Sequence, residues 1–342
     1  MNNLLVKEKV KNIFPKDIQE LCLEHFNNLM AEFYTMQNAF LSNRYKIHHN
    51  LETTNILLCF TAKVHLAIIR QREKNLHHSL SLDNFFHSME NIEEDTFSQK
   101  IVSIVNTTGI PKETVRRKLK LLLRGGYVLI NRCNEYRWCC NKNHQEVYRN
   151  LVKKDINAIA KFIASILKLL NLKIDTNFIK GDIEKHFSFY FNIFINCQLT
   201  WFKMWQTKIK DIDLIFIIIQ VLIPSLQYAD RNKGLKNLSL DKIYTIVGKT
   251  KNSYVPTDMM VSTASISEVT GIPRATCIRK LETLVKLGVL RRESITKRYF
   301  INQTTASRTK NLLTKENITD TISIFSNYLA ITINSLTKNI VK

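Results

Sequence analysis

Apolar residues recur at helical spacing along most of the chain. Leu29, Phe33, Met36 and Phe40 step by four, three and four, which predicts a long amphipathic helix over roughly 18–46. A second helix is expected over about 51–73, and a short one after Ser81, whose hydroxyl can cap its start. Val152, Ile156, Ile159, Ile163, Ile166 and Leu170 step 4-3-4-3-4, a heptad-type seam built to face another helix. In the second half, Phe187, Phe191, Phe194, Trp201 and Trp205 form one stripe and Ile318, Ile322, Phe325, Leu329 and Leu336 another. Stripes at this spacing read as core. The most apolar run, Leu214 to Ile223, is about half the length of a spanning helix, contains Gln220 and meets Pro224. It is expected to be a helix buried on all sides and closed at the proline.

The halves resemble each other because the chain is an internal duplication. At a fixed offset of 162, residues 103–126 match 265–288 at 12 of 24 positions without a gap, including Thr108-Gly-Ile-Pro111 and Thr270-Gly-Ile-Pro273. Leu80-Ser-Leu-Asp83 recurs as Leu238-Ser-Leu-Asp241, and His25-Phe26 as His186-Phe187. The chain is expected to hold two units of about 160 residues, 1–172 and 173–342, with the joint near Asn171 to Asp182.

The repeated core has the layout of a winged helix-turn-helix. A short helix near 99–106 leads to Gly109, which permits the positive φ of a tight interhelical turn. Pro111 suits the start of the next helix, Val115, Leu119 and Leu122 form its inward face, and Gly126 ends it in left-handed geometry. Two β-rich runs, Tyr127–Arg132 and Tyr136–Cys140, form a wing around Cys133-Asn-Glu135. The helix-turn-helix spans about 99–125 and the wing 127–140; in the second copy they span about 261–287 and 289–302, the latter around Ser294-Ile-Thr296. The expected fold is mainly α with small β-wings: two tandem winged helix-turn-helix units, flanked by long helices that form a shared dimerisation-type layer.

The outward face of the second helix holds Lys112, Thr114, Arg116, Arg117, Lys120 and Arg124 in the first copy, with Lys118 beside them. In the second copy it holds Arg274, Thr276, Arg279 and Lys286, with Lys280 nearby. Such a helix fits the major groove, where Arg or Lys pairs with guanine O6 and N7. Arg132 and Arg137, and Arg291, Arg292, Lys297 and Arg298, can reach phosphates or the minor groove from the wings. Over 112–124 the helix carries six cations and one anion; over 274–286 it carries four and one. The faces also differ at Glu113 versus Ala275, Arg116 versus Ile278 and Lys120 versus Glu282. Two unlike half-sites of a pseudo-palindrome, about one helical turn apart, are therefore expected.

The whole-chain balance agrees. Fifty Lys+Arg against 29 Asp+Glu leave +21, which favours a polyanionic partner. Eight Gly and five Pro are too few for an all-β protein built on tight turns. Seven cysteines in no regular framework read as reduced cytosolic thiols. Lys7, Glu8, Lys9 and Lys11 stand where a signal peptide needs its apolar stretch. Cys133, Cys139, Cys140 and His144 match no paired zinc spacing, so no metal or cofactor is expected, and a thiol switch at Cys22 or Cys133 is disfavoured. No Gly-rich phosphate loop, nucleophile elbow or paired-carboxylate arrangement appears, so an enzyme is not expected.

The element order, with the stretches Thr-Gly-Ile-Pro-x-x-Thr…Leu…Leu-x-x-x-Gly at 108–126 and 270–288, resembles the MarR family of transcriptional regulators. That resemblance implies a palindrome-binding pair held together by first and last helices, here fused into one chain. Two departures stand out: Pro111 and Pro273 replace the acidic residue that commonly opens the recognition helix, and the wings lack the usual Asp-x-Arg. The expectation is a cytoplasmic, nucleoid-associated transcription regulator that binds double-stranded DNA as a monomeric pseudo-dimer. An unidentified small-molecule effector is a further candidate partner, and no membrane partner is expected. Competing expectations are a tandem winged-helix replication initiator and a winged-helix protein-interaction scaffold.

Overall fold

A computed structural model describes residues 12–231, 238–243, 255–302 and 312–341. Lys7, Glu8, Lys9 and Lys11 lie outside the described residues. The protein is mainly helical, with four short strands in two antiparallel hairpins among the described residues. The helices are α1 (Pro15–Glu24), α2 (Phe26–His48), α3 (Leu51–Lys74), α4 (Phe85–Glu90), α5 (Ile101–Thr108), α6 (Lys112–Arg124) and α7 (Lys142–Leu169), followed by α8 (Thr176–Lys185), α9 (Phe187–Lys208), α10 (Asp213–Arg231), α11 (Thr263–Thr270), α12 (Arg274–Lys286) and α13 (Lys315–Val341). Hairpin β1 (Val128–Ile130) with β2 (Tyr136–Trp138) follows α6; β3 (Leu290–Arg292) with β4 (Tyr299–Ile301) follows α12.

The chain folds into two compact units built from discontinuous segments. One comprises 50–164 with 173–210, the other 1–49 with 165–172 and 211–342. The sequence repeat divides the chain consecutively, at 172, whereas the compact units exchange segments across that point. Each takes the first helix pair of one copy and the helix-hairpin core of the other. The repeat makes such an exchange possible: α1 and α2 are close to α8 and α9 in length and share the His-Phe junction, so each pair presents a helix with an apolar stripe at the same place in its copy.

In the first unit, α3 packs along α9, and the Asn192 amide donates to the Ala62 carbonyl at 3.2 Å. Phe85, Phe86, Trp138, Tyr148, Phe187 and Phe191 pack as linked rings with His65 among them. His65 is fully buried; its Nε2 lies 3.3 Å from the Tyr148 hydroxyl, and burial pushes its pKa from the ordinary 6.5 down to about 3. A histidine held neutral binds fewer protons folded than unfolded, so its contribution is fully present above about pH 6.5 and is lost as pH falls towards 3. Thermal unfolding midpoints of the native chain and His65→Phe should therefore diverge less at pH 5 than at pH 7.5 if the native histidine carries stabilising packing, with acid sensitivity reduced in the variant. Equal acid sensitivity in the two would count against a buried neutral imidazole.

In the second unit α2 packs along α10 and α1 along α13. Phe33 meets Phe325 edge-on at 4.7 Å, and the Gln220 amide donates to Asn38 Oδ1 at 2.7 Å. Asn334 clips the chain entering α1, accepting from the Ile13 N–H and donating to its carbonyl.

Three local expectations are corrected. The first long helix is broken at His25, as α8 and α9 are at His186, because both residues have non-helical ψ. Just past each break an amide leaves the helical ladder: the Asn27 N–H donates to the Leu238 carbonyl and the Ser188 N–H to that of Leu80. The repeated Leu-Ser-Leu-Asp segments thus dock equivalently, each on the other copy's first long helix. Ser81 does not cap α4, whose N-cap is Asn84; its hydroxyl instead accepts from the Asn84 amide groups. Pro224 does not close α10. It lies inside the helix where Leu222–Ser225 are only half-buried, so the missing ladder bond falls where the helix leaves the core. The expected all-round burial holds for Leu214–Val221. By length and composition α3 and α10 could each cross a membrane, but 72% and 56% of their most apolar windows are buried inside the protein.

Candidate nucleic-acid interface

Both copies build the same helix pair from the same local rules. Gly109 and Gly271 cap α5 and α11 with φ of +72° and +77°, the left-handed region that glycine enters without strain. The hydroxyls of Thr108 and Thr270 accept from the Ile110 and Ile272 N–H at 3.2 and 3.1 Å and donate back to their own helices. Ile110 and Ile272 are fully buried, and Pro111 and Pro273 are the N-caps of α6 and α12. The turns differ in surroundings. A Cβ on Gly271 would meet Lys46 Cγ at 2.7 Å, whereas one on Gly109 finds nothing closer than 3.6 Å. Gly109→Ala should cost about 1–2 kcal/mol from the left-handed backbone alone, and Gly271→Ala more, as a larger fall in the denaturant midpoint. Equal falls would contradict the closer packing at the second turn.

Val115, Leu119 and Leu122 on α6, and Cys277, Leu281 and Leu284 on α12, face inward. Gly126 and Gly288 lie in left-handed geometry, and the chain turns into the hairpins through Tyr127 N–H to Leu122 and Val289 N–H to Leu284 bonds. Each hairpin is joined by one further bridge from the segment before the helix pair, Gln99 to Tyr136 and Val261 to Tyr299. Gln99 also donates to the Cys59 carbonyl at 3.1 Å.

With the inward faces fixed, Lys112, Arg116, Arg117, Lys120 and Arg124 are exposed on α6, and Arg274, Arg279 and Lys286 on α12. Thr114 and Thr276 are half-buried beside them. Arg116 pairs with Glu113 at 2.6 Å, an exposed pair worth little and easily exchanged for another anion. At the position equivalent to Arg116, α12 shows Ile278, 40% exposed.

Lys118 and Lys280 do not belong to this outward face. Lys280 is 8% exposed, with Nζ 2.5 Å from Asp211 and 3.2 Å from Asp213 at the start of α10. Lys118 reaches Glu52, in the first turn of α3, at 3.6 Å. In both units this lysine fastens the basic helix to the acidic first turn of a long helix. It is a positioning residue.

The hairpins diverge further. On the first, Arg132 is exposed, Arg137 is half-buried, and Asn131 Oδ1 orders the tip by accepting from the Cys133 and Glu135 N–H groups. On the second, Arg291, Arg292, Lys297 and Arg298 are all exposed. Its turn closes on the Glu293 carboxylate, which accepts from the N–H groups of Ile295 and Thr296 and the hydroxyls of Thr296 and Ser294. The backbone donors hold its pKa down at about 2. Ile295, at that tip, is 86% exposed. By sequence it reads only as a member of a polar turn; its signal is a lone apolar residue framed by cations.

Cys22 and Cys140 are buried and their thiols are pushed up to about 12, which keeps them protonated. His144 stacks on Tyr127 with ring centroids 4.1 Å apart. Comparison with family models, curated proteins and solved structures finds no match to this chain.

Proposed function

We propose that the chain is a sequence-specific double-stranded DNA-binding transcription regulator, cytoplasmic and nucleoid-associated, with two winged helix-turn-helix modules on one polypeptide. Each module offers one recognition helix, α6 or α12, to a major groove of a pseudo-palindromic operator. The observation that carries this reading is the twofold occurrence of one construction: a glycine-turned helix pair whose second helix is apolar inside, cationic outside and followed by a basic hairpin.

The differences between the faces support two unlike halves. Arg116 and Arg117 near the start of α6 suit guanine, since a guanidinium spans O6 and N7. Ile278 offers a thymine methyl an apolar contact that Arg116 does not. Hairpin cations add phosphate contacts that raise affinity without specifying sequence. Selection of bound duplexes from a random pool at near-physiological salt, where non-specific phosphate binding is suppressed, tests the proposal. Enrichment of a site with two unlike halves is expected; recovery of the pool unchanged would overturn it.

A further inference from the structure

The second hairpin has a tip that the first lacks, and its chemistry is not that of a simple phosphate clamp. Ile295 projects 86% exposed from a turn pinned by the Glu293 carboxylate through two backbone N–H groups and two hydroxyls. Lys297 is held at φ +57°, in the left-handed region, so the turn is fixed on both sides of the tip. Arg291, Arg292, Lys297 and Arg298 flank it. Arg291 and Arg292 also border an open groove of about 670 Å³ that runs beside the hairpin past Met260 and Phe300, leaving them room to follow a backbone strand. An apolar side chain presented this way leaves most of its surface in water, which is unfavourable until something covers it. The first tip carries Cys133, Asn134 and Glu135 at the same place, and Glu135 faces Lys100 at 3.8 Å.

We propose that the second hairpin is a minor-groove wedge: Ile295 inserts its side chain at a base step beside the half-site read by α12, and the flanking cations hold the two phosphate backbones. The inference rests on the DNA-binding reading and adds to it. Minor-groove proteins use an isolated Ile, Leu, Met or Phe in this way to unstack a single base step and bend the duplex, while neighbouring cations neutralise the backbone. Charge selects the occupant here, because a purely apolar protein partner would leave four flanking cations without counter-charge. Only one wedge is present among the two hairpins, so the bend falls on one side of the operator. Flexible pyrimidine–purine steps are favoured at that point, since they unstack most easily.

The test uses the full chain and the duplex enriched from the random pool, carrying 2-aminopurine at successive positions and a dye at each end. Binding of the native chain is expected to raise 2-aminopurine emission at one step beside the α12 half-site and to shorten the end-to-end distance. Ile295→Ser should abolish both signals and weaken binding roughly tenfold, the scale of one lost base-pair contact. Ile295→Leu should retain them, and Cys133→Ser in the first hairpin should change neither. Far-ultraviolet circular dichroism confirms that each variant is folded, and Glu293→Gln, which weakens the bonds to the Ile295 and Thr296 N–H groups and keeps the Ile295 side chain, should give an intermediate bend. An enriched duplex that stays straight and stacked, or identical signals from Ile295→Ser, would overturn the wedge and leave the DNA-binding reading standing. Failure to enrich any duplex would overturn both.

Discussion

Residues 1–172, one complete copy, will not give a folded monomer when produced alone. In the intact chain α3 packs along α9, a helix the fragment lacks, on which Phe187, Phe191, Phe194 and Trp201 are buried. Each large apolar side chain returned to water costs about 1.5–3 kcal/mol, and a handful exceeds the roughly 5–15 kcal/mol by which a domain is stable. The fragment does contain α2, the equivalent of α9, and a second fragment can supply it. The expected species is therefore a fragment dimer with exchanged helices, seen by light scattering on a sizing column, and an equimolar mixture with 173–342 should form a one-to-one complex. A monomeric, cooperatively unfolding 1–172 would show that the compact units follow the sequence repeat after all.

The second large effect is expected at Lys280. Its ammonium stands between Asp211 and Asp213, and the side chains of Lys280 and Asp213 are each only 9% exposed. Lys280→Ala removes the cation from beside a buried carboxylate and should cost about 3–5 kcal/mol, as broken buried pairs do. Lys118→Ala removes the longer 3.6 Å contact to Glu52, whose side chain is 22% exposed, and should cost about 1 kcal/mol. Denaturant titration of the two variants checks the ranking, and Lys280→Met should recover some of the loss through its apolar stem. Similar losses for both alanine variants would mean that the second ion pair carries no special weight. Because this pair fastens α12 to the start of α10, the proposed function adds that Lys280→Ala should bind the selected duplex more weakly even under conditions where the chain remains folded.

The local architecture of the site was legible in the sequence because it depends on residues with few alternatives. Gly109, Gly271, Gly126 and Gly288 stand where the backbone turns left-handed, and the period of Val115, Leu119 and Leu122 separates inside from outside. The exchange of helices was not legible. An apolar stripe such as Leu29, Phe33, Met36 and Phe40 states that a partner exists and cannot say which copy supplies it. The positions of Lys118 and Lys280 were hidden for a related reason: on a helix face a lysine reads as solvated, and the acids that draw these two inward lie far away along the chain. The breaks at His25 and His186 likewise depend on an amide donating to a distant carbonyl, which no local period records. The exposure of Ile295 is not legible either, because polar neighbours mark a turn without saying which side chain it presents, and that follows from the carboxylate-pinned turn.

On the proposed function, α6 and α12 are separate readers on one chain. The most direct measurement repeats the duplex selection with Arg117→Ala and Arg279→Ala, two exposed arginines at equivalent positions. Each variant should relax base preference in one half-site only, a different half for each, at a cost of about 1–3 kcal/mol in affinity for the native site. Uniform weakening in both variants with every base preference intact, or relaxation of the same half by both, would contradict the account.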